Sequence, residues 1–166
     1  MDMFIEKIVR RRKSLLDMAY TSFIITVALI LSFLAFVMIP SISPLIIMGV
    51  GYLAYFLASK RNIEYEYAVT NGDLDVDIIF SQKKRKRVFS ANCKEFDIVA
   101  SMNSDQHTKG LLENKTVEDY TSRNPLANRW YISLKHAGKE KIILFEPSEQ
   151  ILDSFKVFIP RKVIKS

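Results

Sequence analysis

The sequence predicts a membrane α-helical hairpin followed by a mainly antiparallel β domain that ends in a C-terminal α-helix. Three observations support this fold class. The stretch Met18–Ser59 contains no Asp, Glu, Lys, Arg or His. From Ile63 onward, apolar and polar residues alternate with the period of a half-buried strand, and near the C-terminus apolar residues recur at helical spacing. We therefore divide the chain into a juxtamembrane segment, a hairpin and a β domain: residues 1–17, 18–61 and 62–166.

The uncharged stretch splits at Pro40–Pro44 into two apolar runs. Tyr20–Ile39 has about 20 residues, enough at 1.5 Å per residue to cross the roughly 30 Å hydrocarbon core of a bilayer. Pro44–Ala58 is shorter and lies near the lower limit of about 17 residues for a span. A hairpin buried in a soluble core is the alternative, but such helices normally keep a polar face, which these runs lack. We expect two transmembrane helices.

Basic residues flank only one end of this hairpin. Arg10–Lys13 precede the first run and Lys60–Arg61 follow the second, whereas the connecting loop carries no charge. Because cytoplasmic loops are enriched in Lys and Arg, we expect a multi-pass protein of the cell (plasma) membrane with both termini in the cytoplasm.

The first 17 residues are predicted to form a juxtamembrane amphipathic helix, with Phe4, Ile5 and Ile8 on its apolar stripe. Such a helix lies in the headgroup region, where each basic residue gains roughly 1 kcal/mol from anionic lipid. Its candidate headgroup contacts are Arg10, Arg11, Arg12 and Lys13. The alternative is that this basic cluster acts only as a topology signal, and the sequence leaves both interpretations open.

The β domain opens with the clearest short-range signal in the chain. Ile63–Thr70 and Asp73–Phe80 alternate with period two, and Asn71-Gly72 between them suits a type I′ hairpin turn. A two-residue loop pairs Tyr67 with Val76, so that the apolar residues share one face.

Further strands are expected around residues 87–91, 95–101, 116–121, 130–134 and 142–145. In the 95–101 strand we expect Phe96, Ile98 and Ala100 to face inward. The last element is a helix with Pro147 at its first position and Pro160 at its end.

Composition limits the partners. The net charge is +6 and the charged residues lie outside the hairpin. This charge therefore suits an anionic leaflet better than nucleic acid, which would require basic and aromatic residues interleaved on one soluble face. Cys93 is the single cysteine, so no intrachain disulfide forms.

Two charged clusters are candidate sites. The basic run Lys83, Lys84, Arg85, Lys86 and Arg87 is interpreted either as a lipid-headgroup contact or as a solvated hairpin tip. The acidic residues Asp73, Asp75 and Asp77 suggest a metal site or, better, a solvated face neutralised by Arg85 or Arg87, because ligands on a flat strand diverge.

Catalytic chemistry has no support in the sequence. His107 and His136 are expected at the surface, Cys93 in a half-buried position, and no catalytic or phosphate-binding motif is present. We expect a non-enzymatic protein with no cofactor and no metal.

Antiparallel strands closed by one C-terminal helix resemble the pleckstrin-homology (PH) superfold. The chain as a whole is similar to an uncharacterised bacterial family of two-span membrane proteins with a cytoplasmic PH-like domain. The resemblance implies the architecture but no activity. Besides the double apolar run, the matching segments are Ile63–Tyr67, Thr70–Asp77, Lys83–Arg87 and Phe158–Val163.

Two functions follow as hypotheses. In the first, the membrane-anchored PH-like domain binds anionic lipid headgroups or a membrane or cytoplasmic protein partner. In the second, the chain is a structural or accessory subunit of a larger membrane complex, with the two spans as its interface. An enzyme with an unrecognised site is a third, less favoured, hypothesis.

Overall fold

The computed structural model describes residues 4–102, 115–136 and 138–164. These residues fall into two compact units, of which one is helical and the other is built from strands. The helical unit comprises Arg12–Ile63 and Phe80–Lys84, and the β unit contains the remaining described residues. Each unit is described separately below.

The helical unit contains α1 (Leu15–Met38) and α2 (Ser43–Ser59), which pack against each other. In the described part of the chain, α1 with 24 residues is the one helix long and apolar enough to cross a membrane, and α2 is a shorter apolar helix. The predicted helical hairpin is present, while crossing by α2 stays a prediction. Helix α1 begins before Tyr20, because Ser14 caps its N-terminus.

The predicted amphipathic helix at residues 1–17 is wrong. Phe4–Arg10 forms strand β1, antiparallel to β2 (Ile63–Thr70). Burial alternates along β1, and Val9 is buried. Pairing with the edge of β2 satisfies the backbone groups of this stretch, although it leaves Phe4 and Ile8 exposed. The β domain therefore begins at β1, and the helical hairpin is inserted between its first two strands.

The first sheet has the strand order β1-β2-β3-β4, with β3 at Asp73–Phe80 and β4 at Lys84–Asn92. The predicted Asn71-Gly72 turn is confirmed: both residues have positive φ, 51° and 90°, as a type I′ turn requires. The predicted pairing of Tyr67 with Val76 stays a prediction, although both side chains are fully buried.

The second sheet has the order β6-β8-β7-β5-β9. Strands β5 and β8 lie antiparallel to β7, while β6 and β9 lie parallel to their neighbours. The strands are β5 (Phe96–Ser101), β6 (Thr116–Asp119), β7 (Trp130–His136), β8 (Lys139–Phe145) and β9 (Val163–Ile164).

A bulge in β5 corrects the inward set predicted for that strand. The register shifts between Phe96 and Ile98, so Phe96 and Val99 share one face. Ala100 is fully buried as well but lies on the opposite face, in an apolar cluster with Tyr131 and Ile142 against which Ile98 packs. An extra residue in one strand reverses the alternation beyond it, which a strict period of two cannot anticipate.

The C-terminal helix α3 (Glu149–Phe158) closes the β unit. Ser148 is its N-cap, so Pro147 precedes the cap and does not occupy the first helical position as predicted. The helix ends before Pro160, as expected. Phe155 packs edge-on against Phe96, with ring centroids 5.6 Å apart.

Candidate functional site

The start of α1 and the end of α2 are joined by one buried carboxylate. The Asp17 side chain accepts a hydrogen bond from the Ser14 amide at 3.1 Å, and the Ser14 hydroxyl accepts one from the Asp17 amide at 3.2 Å. Arg61, just after α2, pairs with Asp17 at 3.6 Å and lies 4.2 Å above the Tyr20 ring. Burying a charge is costly unless it is paired, so this contact aligns the two helix ends.

A turn between β3 and β4 is fixed to the same end of the helical unit. Ser81 and Gln82 both have positive φ, 50° and 57°. The Ser81 amide donates to the Asn62 carbonyl at 2.8 Å, and its hydroxyl donates to the Ser59 carbonyl. These bonds carry the first residues of the basic run, Lys83 and Lys84, to the end of α2.

Six cations consequently collect at this end of the apolar hairpin. We call them the basic collar, which consists of Arg12, Lys13, Lys60, Arg61, Lys83 and Lys84. Within residues 4–102, 115–136 and 138–164, no carboxylate pairs with Arg12, Lys13, Lys83 or Lys84. The other end of the hairpin, at residues 39–42, has no charged side chain. The helical unit is therefore electrostatically one-sided.

The remaining part of the basic run belongs to the β unit, where Lys86 is exposed and the two arginines pair with carboxylates. Arg85 pairs with Glu66 at 2.9 Å, and Arg87 pairs with Asp75 at 2.9 Å and with Asp77 at 3.0 Å. We call this set of five residues the salt-bridged face. The predicted neutralisation by the next strand is thus confirmed for Asp75 and Asp77 but not for Asp73, whose partner is the uncharged Asn92.

Hydrogen bonds extend the same face along β3 and β4. Ser90 donates to Asp75 at 2.6 Å and Asn92 donates to Asp73 at 2.7 Å. The hydrogen bond to Asp77 raises the pKa of Arg87 above its usual value. The charges of Asp75 and Asp77 are therefore compensated by Arg87, whereas Asp73 is bonded to an uncharged amide.

Burial raises the pKa of the Glu66 carboxyl, and the nearby Glu6 carboxylate adds to this effect. Arg85 opposes the shift. One carboxylate oxygen of Glu66 has no hydrogen-bond partner within the described part of the chain. Glu66 is thus the residue of the salt-bridged face whose charged form is disfavoured by its surroundings.

The N-terminal basic cluster is divided in the same way as the run 83–87. Arg10, at the end of β1, lies opposite Glu64 and contacts its carboxylate at 4.0 Å. Arg11 interacts with Tyr65 and partly offsets the effect of burial, which raises the pKa of that tyrosine. Arg12 and Lys13 lie outside the strand and join the collar.

The other candidate residues do not assemble into a site. No group of three or more His, Cys, Asp or Glu able to hold a metal occurs among the described residues. His107 and the side chain of His136 lie outside the described residues. Cys93 is fully buried, more than predicted, and burial raises the pKa of its thiol.

Sequence reasoning used Lys60 and Arg61 for topology but missed them as site residues. It also missed the pairing of Arg61 with Asp17. Asp17 stands three residues after Ser14, the spacing of a capping box, and this signal could have placed the helix start at Leu15.

Two sheets closed by a C-terminal helix, with an apolar helical hairpin after the first strand, define a PH-like β domain that carries a candidate membrane anchor. The chain belongs to the family described as Bacterial PH-like domain (DUF6106), whose model matches residues 1–165. The matched range includes the helical hairpin as well as both sheets. No curated protein and no solved structure matches the chain.

Proposed function

We propose that this chain is a non-enzymatic, two-span protein of the bacterial inner membrane with both termini in the cytoplasm. Its basic collar contacts anionic lipid headgroups, and its PH-like domain offers the remaining surface to a protein partner. The observation that carries this proposal is the one-sided charge of the helical unit: six cations at one end and none at residues 39–42.

Helix geometry supports two spans. Arg61 contacts Asp17 and Tyr20, so the C-terminal end of α2 is level with the second turn of α1. From Tyr20 to Met38, α1 rises about 27 Å, and α2 rises about 24 Å. Both lengths approach the roughly 30 Å hydrocarbon core, and Lys and Arg side chains can extend from just inside the interface. A bilayer that holds α1 would therefore also hold α2, which packs beside it.

The basic collar would orient the PH-like domain at the membrane and would not be needed to bring it there. Each Lys or Arg near an anionic leaflet gains roughly 1 kcal/mol, and the hairpin already supplies membrane attachment. The arginines of the salt-bridged face should add less, because their charge is compensated by Glu66, Asp75 and Asp77.

The test uses the full chain excised from bacterial membranes in polymer-bounded native nanodiscs. We expect the ratio of phosphatidylglycerol to phosphatidylethanolamine in the disc to exceed that of the bulk membrane. Combined Lys83→Glu and Lys84→Glu substitution should lower the ratio. The matched control is Lys135→Glu with Lys139→Glu, the same charge change on exposed residues of the β7–β8 hairpin. Equal ratios in all three proteins would contradict a lipid-contacting collar.

One observation favours the alternative, a structural or accessory subunit of a larger membrane complex. A Cβ added at Gly49 or Gly51 of α2 meets no described atom within 4 Å. Glycines exposed on a membrane helix allow another helix to approach closely. Extraction in mild detergent followed by mass measurement separates the two functions. A larger assembly of fixed composition favours the subunit, and a lone monomer contradicts it.

A further inference from the structure

An apolar groove runs along one face of the helical unit. It has a volume of about 290 Å³ and is walled by both helices. Tyr20 and Leu57 line it near the collar, Leu31 and Val50 line it deeper along the helices, and the small side chains of Ala28 and Ala54 leave room between them.

The length of the groove matches one leaflet of a bilayer. Its lining on α1 extends from Tyr20 to Leu31, a rise of about 16 Å. Half of a hydrocarbon core of roughly 30 Å is about 15 Å. Because the groove starts at the collar, it would lie in the cytoplasmic leaflet under the proposed topology.

A cation stands at the mouth of the groove. The Arg61 guanidinium lies 4.2 Å above the ring of Tyr20, which is itself part of the lining. Asp17 holds Arg61 at 3.6 Å, yet 43% of the Arg61 side chain stays exposed. A guanidinium carries five N–H donors, so one carboxylate contact leaves donors for a phosphate oxygen.

An apolar groove as long as one leaflet, with an arginine fixed at its polar end, is complementary to a single amphiphilic molecule. We propose that the groove holds one acyl chain of an anionic phospholipid of the cytoplasmic leaflet, with its phosphate bound by Arg61. This inference rests on the proposed function, because it requires the helical unit to lie in the membrane. It goes further in naming one tightly held lipid, distinct from the exchanging lipids around the collar.

Native mass spectrometry of the full chain, extracted in mild detergent from membranes that contain phosphatidylglycerol, tests this inference. The wild type should retain one phosphatidylglycerol per chain. Ala54→Phe should weaken retention about tenfold, because the added ring fills the groove. The matched control is Leu45→Phe on the same helix, which places a ring at a position that is 68% exposed and outside the groove lining and should retain the lipid.

Arg61→Lys supplies a second readout, because it keeps the charge near Asp17 but loses the planar fork. It should reduce the preference for phosphatidylglycerol over phosphatidylcholine. Wild type without bound lipid, equal retention by Ala54→Phe and the wild type, or a lipid-free dimer with a second copy on the groove would each overturn the inference. The nanodisc lipid ratio reports on the collar independently, so the proposed function can stand while this inference fails.

Discussion

The basic collar shares two stretches of sequence with cations that pair with carboxylates of the β unit. In one stretch Lys83 and Lys84 go to the collar, while Arg85 and Arg87 pair with carboxylates of the β unit. In the other stretch Arg10 faces Glu64, and the two residues after Arg11 go to the collar. A run of like charges is thus not one surface, because only part of it is available to an external anion.

Strand formation explains this division. A residue on a strand faces the residue opposite it on the neighbouring strand, and here those neighbours carry carboxylates. The collar residues lie in turns, at helix ends and, for Lys84, at the first position of β4. No described carboxylate pairs with Arg12, Lys13, Lys83 or Lys84. The predictions below test this division, beginning with the strand that produces it.

The largest effect should come from breaking β1. Val9→Gln puts an amide at a position that is only 7% exposed, which should lower the free energy of unfolding of the β unit by about 3 kcal/mol. The measurement is urea unfolding of the full chain in detergent micelles. The fluorescence of Trp130, the single tryptophan and a buried residue of the β unit, follows the transition.

The neighbouring residue Ile8 is the control. Its side chain is 50% exposed on β1, so Ile8→Gln should change the stability by well under about 1 kcal/mol. An amphipathic helix would give the reverse order, because Ile8 would belong to its apolar stripe. A greater loss of stability for Ile8→Gln than for Val9→Gln would therefore contradict β1.

The turn that brings β3 beside β2 should give the next largest effect. In Gly72→Ala, the added Cβ lies 3.0 Å from Cys93 Sγ and 3.1 Å from the Phe158 ring, at a φ of +90°. We expect this substitution to lower the free energy of unfolding by about 2 kcal/mol in the same assay. Gly138→Ala shares the positive φ, but its added Cβ meets no described atom within 4 Å. It should therefore lower the free energy of unfolding by about 1 kcal/mol. Equal losses would argue against the packing of Gly72.

Neutralising two nearby cations, one at a time, should give a smaller effect. Arg87→Gln removes two salt bridges of a side chain that is 55% exposed, which should cost about 0.5 kcal/mol. Lys84→Gln should leave the unfolding midpoint unchanged but should lower the phosphatidylglycerol ratio in native nanodiscs. The account predicts that Arg87→Gln changes that ratio less than Lys84→Gln, and the opposite order would contradict the division of the basic run.

The smallest effect concerns the pH dependence of the salt-bridged face. Burial raises the pKa of Glu66 above its ordinary value of 4.5, so the folded state retains the proton more strongly than the unfolded state. The contribution of Glu66 to stability therefore falls as the pH rises from 4.5 through the folded pKa. Glu66→Gln should flatten the decrease of the urea midpoint above pH 4.5, and an unchanged slope would contradict this assignment.

Local patterns predicted much of the fold. The helical hairpin follows from a long uncharged stretch, and the β2–β3 turn follows from Asn71-Gly72, because both signals lie within a few adjacent residues. The end of α3 before Pro160 and the pairing of Asp75 and Asp77 with the next strand required only short-range patterns as well.

Features that depend on distant partners were missed. β1 forms because β2, more than fifty positions away, offers an edge, and a seven-residue stretch with apolar and basic residues fits a helix equally well. The bulge after Phe96 and the contact of Arg61 with Asp17 likewise depend on neighbours that the local sequence does not identify. For the same reason the sequence alone presents residues 83–87 as one basic surface.

The proposed function requires the basic collar to lie on the cytoplasmic side of the membrane, and thiol labelling tests this most directly. In a Cys93→Ser background, Ser41→Cys, Lys13→Cys and Lys83→Cys are introduced one at a time and intact cells are treated with a membrane-impermeant maleimide. Two spans predict that Ser41→Cys reacts in intact cells, whereas Lys13→Cys and Lys83→Cys react only after the cells are opened. Reaction of either collar position in intact cells would contradict a hairpin that crosses twice and leaves the collar in the cytoplasm.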